Sequence, residues 1–372
     1  MKSIGIICEF NPLHNGHVHF IEEIKKNYPD YVLILVLNGY FLERGEVSIL
    51  SKEDKVKLSL EYNVDIVLEL PVLFGTQSAD TFAEVSIKIL NNLKVEKLIF
   101  GSESNNIDDI FQIAKKQLYD KNYNEDVKKE LKTGINYPSA LAKALKTDDF
   151  VFTPNDLLGI SYVKAILKNN FNIEPITLQR TNGFHDNDLE SNIVSASNIR
   201  EKIKEDKCII NCIPKDYTNI INTCDKEKYY EILKVKILTD PNLKGYLDVD
   251  EGIEHRLYEG VINTNSLDEL IKYTKNKRYT YNKINRMLVH ILLGITKEDA
   301  KKEMSYTKII GFNKKGQEYI RNIKKDTALP LIVDKNDSIE QLEKRASIIY
   351  ELLTNTKTSS FEHNSKPVVK KD

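Results

Sequence analysis

The sequence predicts an α/β protein: a Rossmann-like open parallel sheet, followed by a mainly helical C-terminal region. Three observations predict it. Short apolar runs alternate with helix-like stretches through the first hundred residues, in the order β-α-β-α-β-α-β. Those runs are continuous rather than alternating, as expected of strands buried on both faces. From Lys226 to Lys302 the apolar spacing becomes helical.

The elements follow in order. Ile4 to Cys8 is a strand, and His17 to Lys26 is a helix with Phe20, Ile21 and Ile24 on one side. Tyr31 to Leu37 is the next strand. Lys52 to Glu61 reads as a helix, with Val56 and Leu60 sharing a side. Asp65 to Leu70 is a strand closed by Pro71, Ala79 to Leu90 is helical, and Val95 to Phe100 is a strand ending at Gly101. Residues 107 to 147 are helical and charged, with a break at Asn136-Tyr137-Pro138. Thr153-Pro154-Asn155-Asp156 starts a helix that runs through Leu157 to Leu167. Ile173 to Arg180 is a strand, and Ser195-Ala196-Ser197 precedes a helix over Asn198 to Glu205. A helix is expected around Gly316 to Lys324, a strand at Leu329 to Val333 and a helix over Ser338 to Leu353. The implied organisation is a catalytic unit over 1–206, a linker over 207–225, a helical region over 226–303, a small α/β region over 304–353 and a disordered tail over 354–372.

Composition narrows the function. The 372 residues carry 54 Lys plus Arg against 55 Asp plus Glu, a net charge of -1. That balance excludes a uniformly basic nucleic-acid protein but leaves room for a local basic face. Cys8, Cys208, Cys212 and Cys224 form no CxxC pair, so no metal site is expected, and the chain reads as reduced and cytoplasmic. Met1-Lys2-Ser3 leads directly into a strand-like run, which predicts no signal peptide. The longest apolar run, Tyr31 to Leu37, is too short to span a bilayer, so no membrane partner is expected.

Ligands on open parallel sheets bind beyond the carboxyl ends of the strands. The segments to watch are therefore Glu9 to Gly16, Asn38 to Glu46, Pro71 to Asp80 and Gly101 to Glu103. The first contains Asn11-Pro12-Leu13-His14-Asn15-Gly16-His17, with His19 just beyond, so three histidines fall within six residues. A tight loop then meets a helix start, where backbone N–H groups attract phosphate. Gly16 lets a nucleotide approach the backbone. His14 and His17, three apart, share a helix face and can donate to phosphate oxygens. In nucleotidyl transfer, donors aimed at the charge growing on the α-phosphate lower the barrier. The plainer alternatives are surface histidines or a His-x-x-His zinc pair, and the latter lacks carboxylate or cysteine partners nearby. Further on, Ser195-Ala196-Ser197-Asn198-Ile199-Arg200 places hydroxyls and N–H groups at a helix start, with Arg200 as a cationic fork. Alone, that stretch reads more readily as an ordinary N-cap followed by a surface arginine.

His14-Asn15-Gly16-His17 resembles the HxGH signature of the HIGH superfamily of nucleotidyltransferases and class I aminoacyl-tRNA synthetases. The serine-arginine stretch resembles their ISSTxIR motif. Together "GIICEFNPLHNGH", "NGYFLERGEVSILSK", "DIVLELP", "FGSE", "LLGISYVKAI", "EPITLQR" and "VSASNIR" are similar to one family, tRNA(Met) cytidine acetate ligase. "NKRYTYNKINRMLVHILLGI" and "IIGFNKKGQEYI" extend the likeness over nearly the whole chain. In that family the positions of Leu13, Glu43 and Val47 more often hold Phe, Gln and Pro.

The resemblance implies the following expectations. ATP activates acetate as acetyl-adenylate. The N4 amine of the wobble cytidine of elongator tRNA(Met) takes the acetyl group, giving N4-acetylcytidine. The implied catalytic residues are His14 and His17. ATP contacts fall on Ile7, Cys8, Glu9, Phe10, Asn11, Pro12, Leu13, His14, Asn15, Gly16, His17, Val18, His19 and Phe20. They extend to Gly101, where a side chain would block the nucleotide, and to Asn155, Arg180, Ser197 and Arg200. Mg2+ is a candidate companion of the ATP. Arg44 and Lys52 either reach pyrophosphate or are solvated.

Ile271 to Arg286 holds six cations (Lys272, Lys275, Lys277, Arg278, Lys283 and Arg286) and no carboxylate, with Tyr273, Tyr279 and Tyr281 interleaved. Cations contact phosphates and tyrosines stack on unpaired bases. A solvated helix face reads the same composition, and the resemblance implies tRNA. Two rival functions share the motifs: an adenylyltransferase acting on a phosphorylated metabolite, and a tRNA-binding protein without catalysis. The helical region after 225 speaks against the first. The intact His14, Gly16, His17 and Arg200 speak against the second. Oligomeric state, acid selectivity and the choice of one tRNA among many are not written in the sequence.

Overall fold

The computed structural model describes residues 1–135, 137–145, 153–180, 194–276, 278–364 and 366–371. The first half alternates as the sequence predicts: β1 (Ser3–Cys8), α1 (Asn15–Asn27), β2 (Val32–Asn38), α2 (Lys52–Glu61), β3 (Ile66–Leu70), α3 (Val72–Gly75), α4 (Ala79–Asn92) and β4 (Lys97–Ser102). Then come α5 (Ile107–Tyr119), α6 (Lys121–Lys132), α7 (Tyr137–Leu145), α8 (Pro154–Lys168), β5 (Glu174–Gln179) and α9 (Ala196–Lys204). The helical region supplies α10 (Lys226–Thr239), α11 (Ile253–Asn263), α12 (Leu267–Thr274) and α13 (Tyr281–Leu293). The chain closes with β6 (Ile309–Phe312), α14 (Lys314–Ile323), α15 (Ser338–Thr354), α16 (Ser359–Asn364) and β7 (Val368–Val369).

The seven strands among the described residues share one sheet, in the order β5-β4-β1-β2-β3-β6-β7. The first five run parallel, with Ile4 opposite Leu33 and Ile34 opposite Ile66. Every residue of β2 and β3 is buried, which is why both read as unbroken apolar runs. The chain winds outward from β1 through β2 to β3, then returns to place β4 on β1's other side. That reversal opens a crevice beyond the carboxyl ends of β1 and β4. Helix starts fall where side-chain caps exist. Ser51 accepts from Asp54 N–H at 3.1 Å, and Ser195 from Asn198 N–H at 3.2 Å.

The C-terminal region differs from expectation. Leu329 to Val333 is not a strand: Pro330 uses its carbonyl to accept from Thr307 N–H, and Asn92 brackets Leu329 from both sides. The strand lies earlier, at Ile309–Phe312, and joins the main sheet antiparallel to β3. The stretch 354–372, expected as a disordered tail, forms α16 and β7 among its described residues, with β7 pairing to β6. Its polar composition hid a buried charge, Glu362.

That charge belongs to an ionic cluster beneath the sheet's edge. Lys52 Nζ meets Glu69 and Glu343 at 2.7 Å and Glu362 at 2.6 Å, and all four side chains are buried. Lys308 pairs with Glu340 at 3.0 Å and Glu362 at 3.1 Å. Lys52 is thus neither solvated nor on a ligand, the two roles its sequence context suggests. Four carboxylates face two ammonium groups. Burial raises Glu343 to about 7, which relieves the excess negative charge by keeping a proton. Burial also works to raise Glu362, but Lys52 and Lys308 outweigh it and hold that carboxyl down to about 2. Tyr40 rests under Lys52 and donates to Glu362 at 3.1 Å, so the loop after β2 is fastened to the C-terminal segment. Deleting residues 355–372 is expected to lower stability by on the order of 3 kcal/mol, because the cluster is opened and one partner removed; urea unfolding of the truncated protein checks it.

Candidate active site

A cavity of about 530 Å³ opens where the strand order places it, beyond the carboxyl ends of β1, β4 and β5. Ile7, Cys8, Glu9, Phe10, Asn11, His14, Gly16, His17, His19, Phe20, Gly101, Asn155, Arg180, Ser197 and Arg200 all line it. Four expected contacts stand elsewhere. Leu13 is fully buried in the core, and Val18 packs against that same core. Asn15 donates to Asn211 O at 2.8 Å. Pro12 follows Asn11 through a cis peptide bond and is absent from the wall.

The histidine pair is built by mutual capping. His14 is the N-cap of α1, and its Nδ1 accepts from Gly16 N–H at 3.1 Å. His17 sits three residues on, and its Nδ1 accepts from His14 N–H at 3.2 Å. This is a capping box made with imidazoles instead of Ser and Glu. The rings lie 3.8 Å apart. A neutral imidazole that accepts at Nδ1 carries its proton on Nε2. Burial, and then the Arg180 charge, pull His14 down to about 3. Burial, His14 and Arg180 push His17 well below its ordinary value. Both rings therefore present neutral Nε2–H donors at neutral pH. The sequence points to backbone N–H groups of the helix start as phosphate donors, and here the structure differs. Gly16 N–H is taken by His14 Nδ1 and His17 N–H by His14 O. The ring and the carbonyl of His14 consume those donors, and the imidazoles offer their own in exchange.

Positive charge comes from two arginines. The Arg200 guanidinium donates to Asn11 O at 2.8 Å and pairs with Glu46 at 2.9 Å. Arg180 leaves its buried Nε without a hydrogen bond, 3.8 Å from Glu103. Gly101 serves this arginine directly: a Cβ there would stand 3.3 Å from Arg180 Cγ. Asn155 donates to Glu103, and Thr153 donates to the same carboxylate at 2.7 Å. Asp156 accepts from Ser104 N–H at 3.1 Å, so the end of β4 and the start of α8 form one braced corner. Ser197 sits in the first turn of α9, its hydroxyl 3.1 Å from that of the capping Ser195. Cys8 is no nucleophile, since burial raises its thiol to about 12.

Sequence reasoning missed a second wall. Ala79 and Phe82 of α4, Leu158 and Tyr162 of α8, and Asn282 of α13 also line the cavity. One signal was available: Asn155, Leu158 and Tyr162 lie at i, i+3 and i+7 on one helix. Asn282 carried none, because it comes from a distant element. It arrives because Gly45 (φ +73°) presses its backbone on α13, where a Cβ would fall 2.4 Å from Arg286 N.

The cationic stretch divides. Lys272, Lys275 and Arg278 are exposed, although Arg278 pairs with Glu251 at 2.7 Å. Lys283 is half-buried over the Tyr279 ring. Arg286 turns inward and pairs with Glu43 at 3.3 Å. Lys277 lies outside the described residues. Tyr279 is buried and donates to Asp250 O at 2.7 Å, so it is not free to stack on a base, whereas Tyr281 is exposed. Among the described residues, the carboxylates close enough to share a metal ion are Glu69, Glu343 and Glu362, and Lys52 Nζ fills the place between them. No helix among the described residues is long and apolar enough to cross a membrane.

Comparison with known proteins agrees with this geometry. The family described as HIGH Nucleotidyl Transferase matches residues 1–366. The tRNA(Met) cytidine acetate ligase of Geobacillus sp. (strain WCH70) is 36% identical over 377 residues, covering 94% of each chain. That of Bacillus subtilis (strain 168) is 34% identical, covering 95% of this chain and 92% of the relative. The crystal structure of Thermotoga maritima TmcAL bound with alpha-thio ATP superposes with a TM-score of 0.86 at 25% identity, covering 99% of both chains. Its apo form gives 0.86 at 27% identity, covering 97% of this chain and 96% of that one. The fold, the cavity and these likenesses converge, and the chain belongs to the tRNA(Met) cytidine acetate ligase family of HIGH nucleotidyl transferases, a family of ATP-dependent ligases.

Proposed function

We propose that this protein joins acetate to N4 of the wobble cytidine of elongator tRNA(Met), consuming ATP. Acetate attacks the α-phosphate, acetyl-adenylate forms and pyrophosphate leaves. The cytidine amine then attacks the acetyl carbonyl and releases AMP. The observation that carries the reading is the pair of neutral imidazoles facing Arg180 and Arg200 across one cavity. Neutral N–H donors match growing phosphate charge without repelling the two guanidinium groups, and guanidinium forks suit phosphate oxygens. The orphaned Arg180 Nε is a donor that an anionic ligand would satisfy. Mg2+ would travel with the triphosphate as its counter-ion.

The outward cations of α12 and its C-terminal turn suit the phosphates of an RNA. Reversing Lys272, Lys275 and Arg278 to glutamate is expected to weaken tRNA binding at least about tenfold while acetate-dependent ATP–pyrophosphate exchange persists. Equal loss of both would contradict that division. The test of the whole reading is mass spectrometry of tRNA(Met) after incubation with ATP and labelled acetate. Label on the anticodon cytidine supports it. Acetyl-adenylate without RNA product leaves a small-molecule acceptor, and no adenylate at all refutes it.

A further inference from the structure

The strand order gives the cavity two halves. His14, His17, Gly101, Asn155, Arg180 and Arg200 gather over β1, β4 and β5 and are rich in donors. The half over β1 and β2 is different in kind. There the Glu9 carboxylate is pinned through one oxygen: Oε1 accepts from Asn38 Nδ2 at 2.9 Å and from Glu43 N–H at 2.8 Å. The backbone is pinned too, since Lys55 Nζ grips Glu9 O, Asn38 O and Gly39 O at 3.1, 2.7 and 2.6 Å. Glu9 Oε2 has no hydrogen-bond partner among the described residues, and Glu9 lines the cavity.

On the β4 side of the same cavity stands Tyr162 of α8, a lining residue that is only 3% exposed. Its ring packs edge-on against Phe100, and its hydroxyl makes no hydrogen bond among the described residues. That hydroxyl is not walled in by protein, so it is open to a partner inside the cavity. Burial first, then Cys8, Glu9 and Glu43, hold the phenol well above its ordinary value, so it remains a neutral donor. Glu43, which closes this half from the loop after β2, is raised to about 6 by burial despite Arg286.

An oriented carboxylate acceptor with a phenol donor nearby is a poor place for a phosphate or an acetate ion, since Glu9 would repel either. It matches a cytosine edge, which offers an N4 amine as donor and N3 and O2 as acceptors. Uracil presents a carbonyl at the amine's position, and that oxygen would face the carboxylate unpaired. We propose that Glu9 and Tyr162 form the cytosine-reading subsite, with Glu9 Oε2 accepting from the N4 amine and the Tyr162 hydroxyl donating to a ring acceptor. This assigns Glu9 to the acceptor base instead of the nucleotide contacts that the sequence resemblance implies. It rests on the proposed acetyl transfer to cytidine. In that step the N4–carbon bond forms, the bond from acetyl carbon to AMP oxygen breaks, and AMP leaves with that electron pair. The amine proton passes to Glu9 Oε2, so charge and atoms balance with no further reagent.

The test separates the half-reactions in the full-length protein. Acetate-dependent ATP–pyrophosphate exchange reports adenylate formation, and single-turnover labelling of tRNA(Met) reports transfer. Glu9→Gln keeps the shape, and Oε1 keeps its two donors. Its ratio of transfer to exchange is expected to fall on the order of 100-fold. Tyr162→Phe is expected to lower the same ratio about tenfold and to narrow discrimination between anticodon-loop RNAs carrying cytidine or uridine at the wobble position. If exchange falls in step with transfer in both variants, the pair serves adenylation and the subsite is wrong. If both variants keep the wild-type ratio, it is equally wrong. Failure of the functional reading is distinguishable, because wild-type protein would then label no RNA.

Discussion

Under the proposed function, His17→Ala is expected to lower acetate-dependent ATP–pyrophosphate exchange by on the order of 100- to 1000-fold, because one preorganised donor to the reacting phosphate would disappear. The same change removes half of the imidazole capping box, which is worth about 1 kcal/mol to α1. The two losses separate with His17→Glu, since glutamate is an ordinary partner at this position of the box yet repels phosphate. That variant is expected to hold its fold and to lose exchange at least as completely as the alanine variant. The double replacement of His14 and His17 is expected to fall short of the product of the single effects, because both rings cap the same first turn and line the same cavity. The pH dependence of stability follows from the same burial. An unfolded histidine takes up a proton near 6.5, whereas folded His14 does so only near about 3. The stability held in the neutral pair is therefore complete above about pH 6.5 and is lost as pH falls toward 3. Acid titration of unfolding, compared with the double alanine variant, reads this as a flatter curve in the variant.

Lys52→Met destabilises the protein by about 3–5 kcal/mol, the cost of leaving buried carboxylates without their cation. Glu69, Glu343 and Glu362 all converge on Lys52 Nζ, and none of them can reach water. Glu343→Gln is expected to cost less than Lys52→Met, because Lys52 keeps Glu69 and Glu362 as partners even though one donor contact of Glu343 is lost. Urea unfolding of the two variants side by side checks the contrast. Equal costs would mean that the cluster works by shape and not by charge. The cluster also braces a loop that lines the cavity. Lys52 packs under Gly39, where a Cβ would lie 2.8 Å from Lys52 Cε, and Tyr40 joins Glu362. The loop that carries Glu43 and Glu46 to the cavity is thus held from below by the C-terminal segment.

Much of the first half was legible because its signals are local. Continuous apolar runs marked β1, β2 and β3, and Lys52–Glu61 coincides with α2 at both ends. The histidine loop and the serine-arginine stretch stood out locally as donors clustered at helix starts, and the fold brings both to one cavity. The rest failed where the cause is long-range. Glu362 reads as tail polarity until Lys52 and Lys308, far away in sequence, are seen around it. Arg286 reads as an RNA contact until the fold brings Glu43 beside it. Tyr162 reads as a core aromatic, since nothing local shows that its hydroxyl lacks a partner. Backbone amides at the start of α1 read as phosphate donors, and only the folded geometry reveals that the ring and carbonyl of His14 occupy them.

Two imidazoles at the start of α1 stay neutral, carry their protons on Nε2 and, under the proposed function, direct them at the nucleotide. Nitrogen-15 NMR of histidine-labelled protein at pH 7, with His14 and His17 assigned by substitution, tests it most directly. The account predicts Nε2–H tautomers for both rings, no protonation on lowering the pH to about 5, and a shift of both Nε2–H signals when ATP is added. Imidazolium signals at pH 7, protons on Nδ1, or signals indifferent to ATP would contradict it.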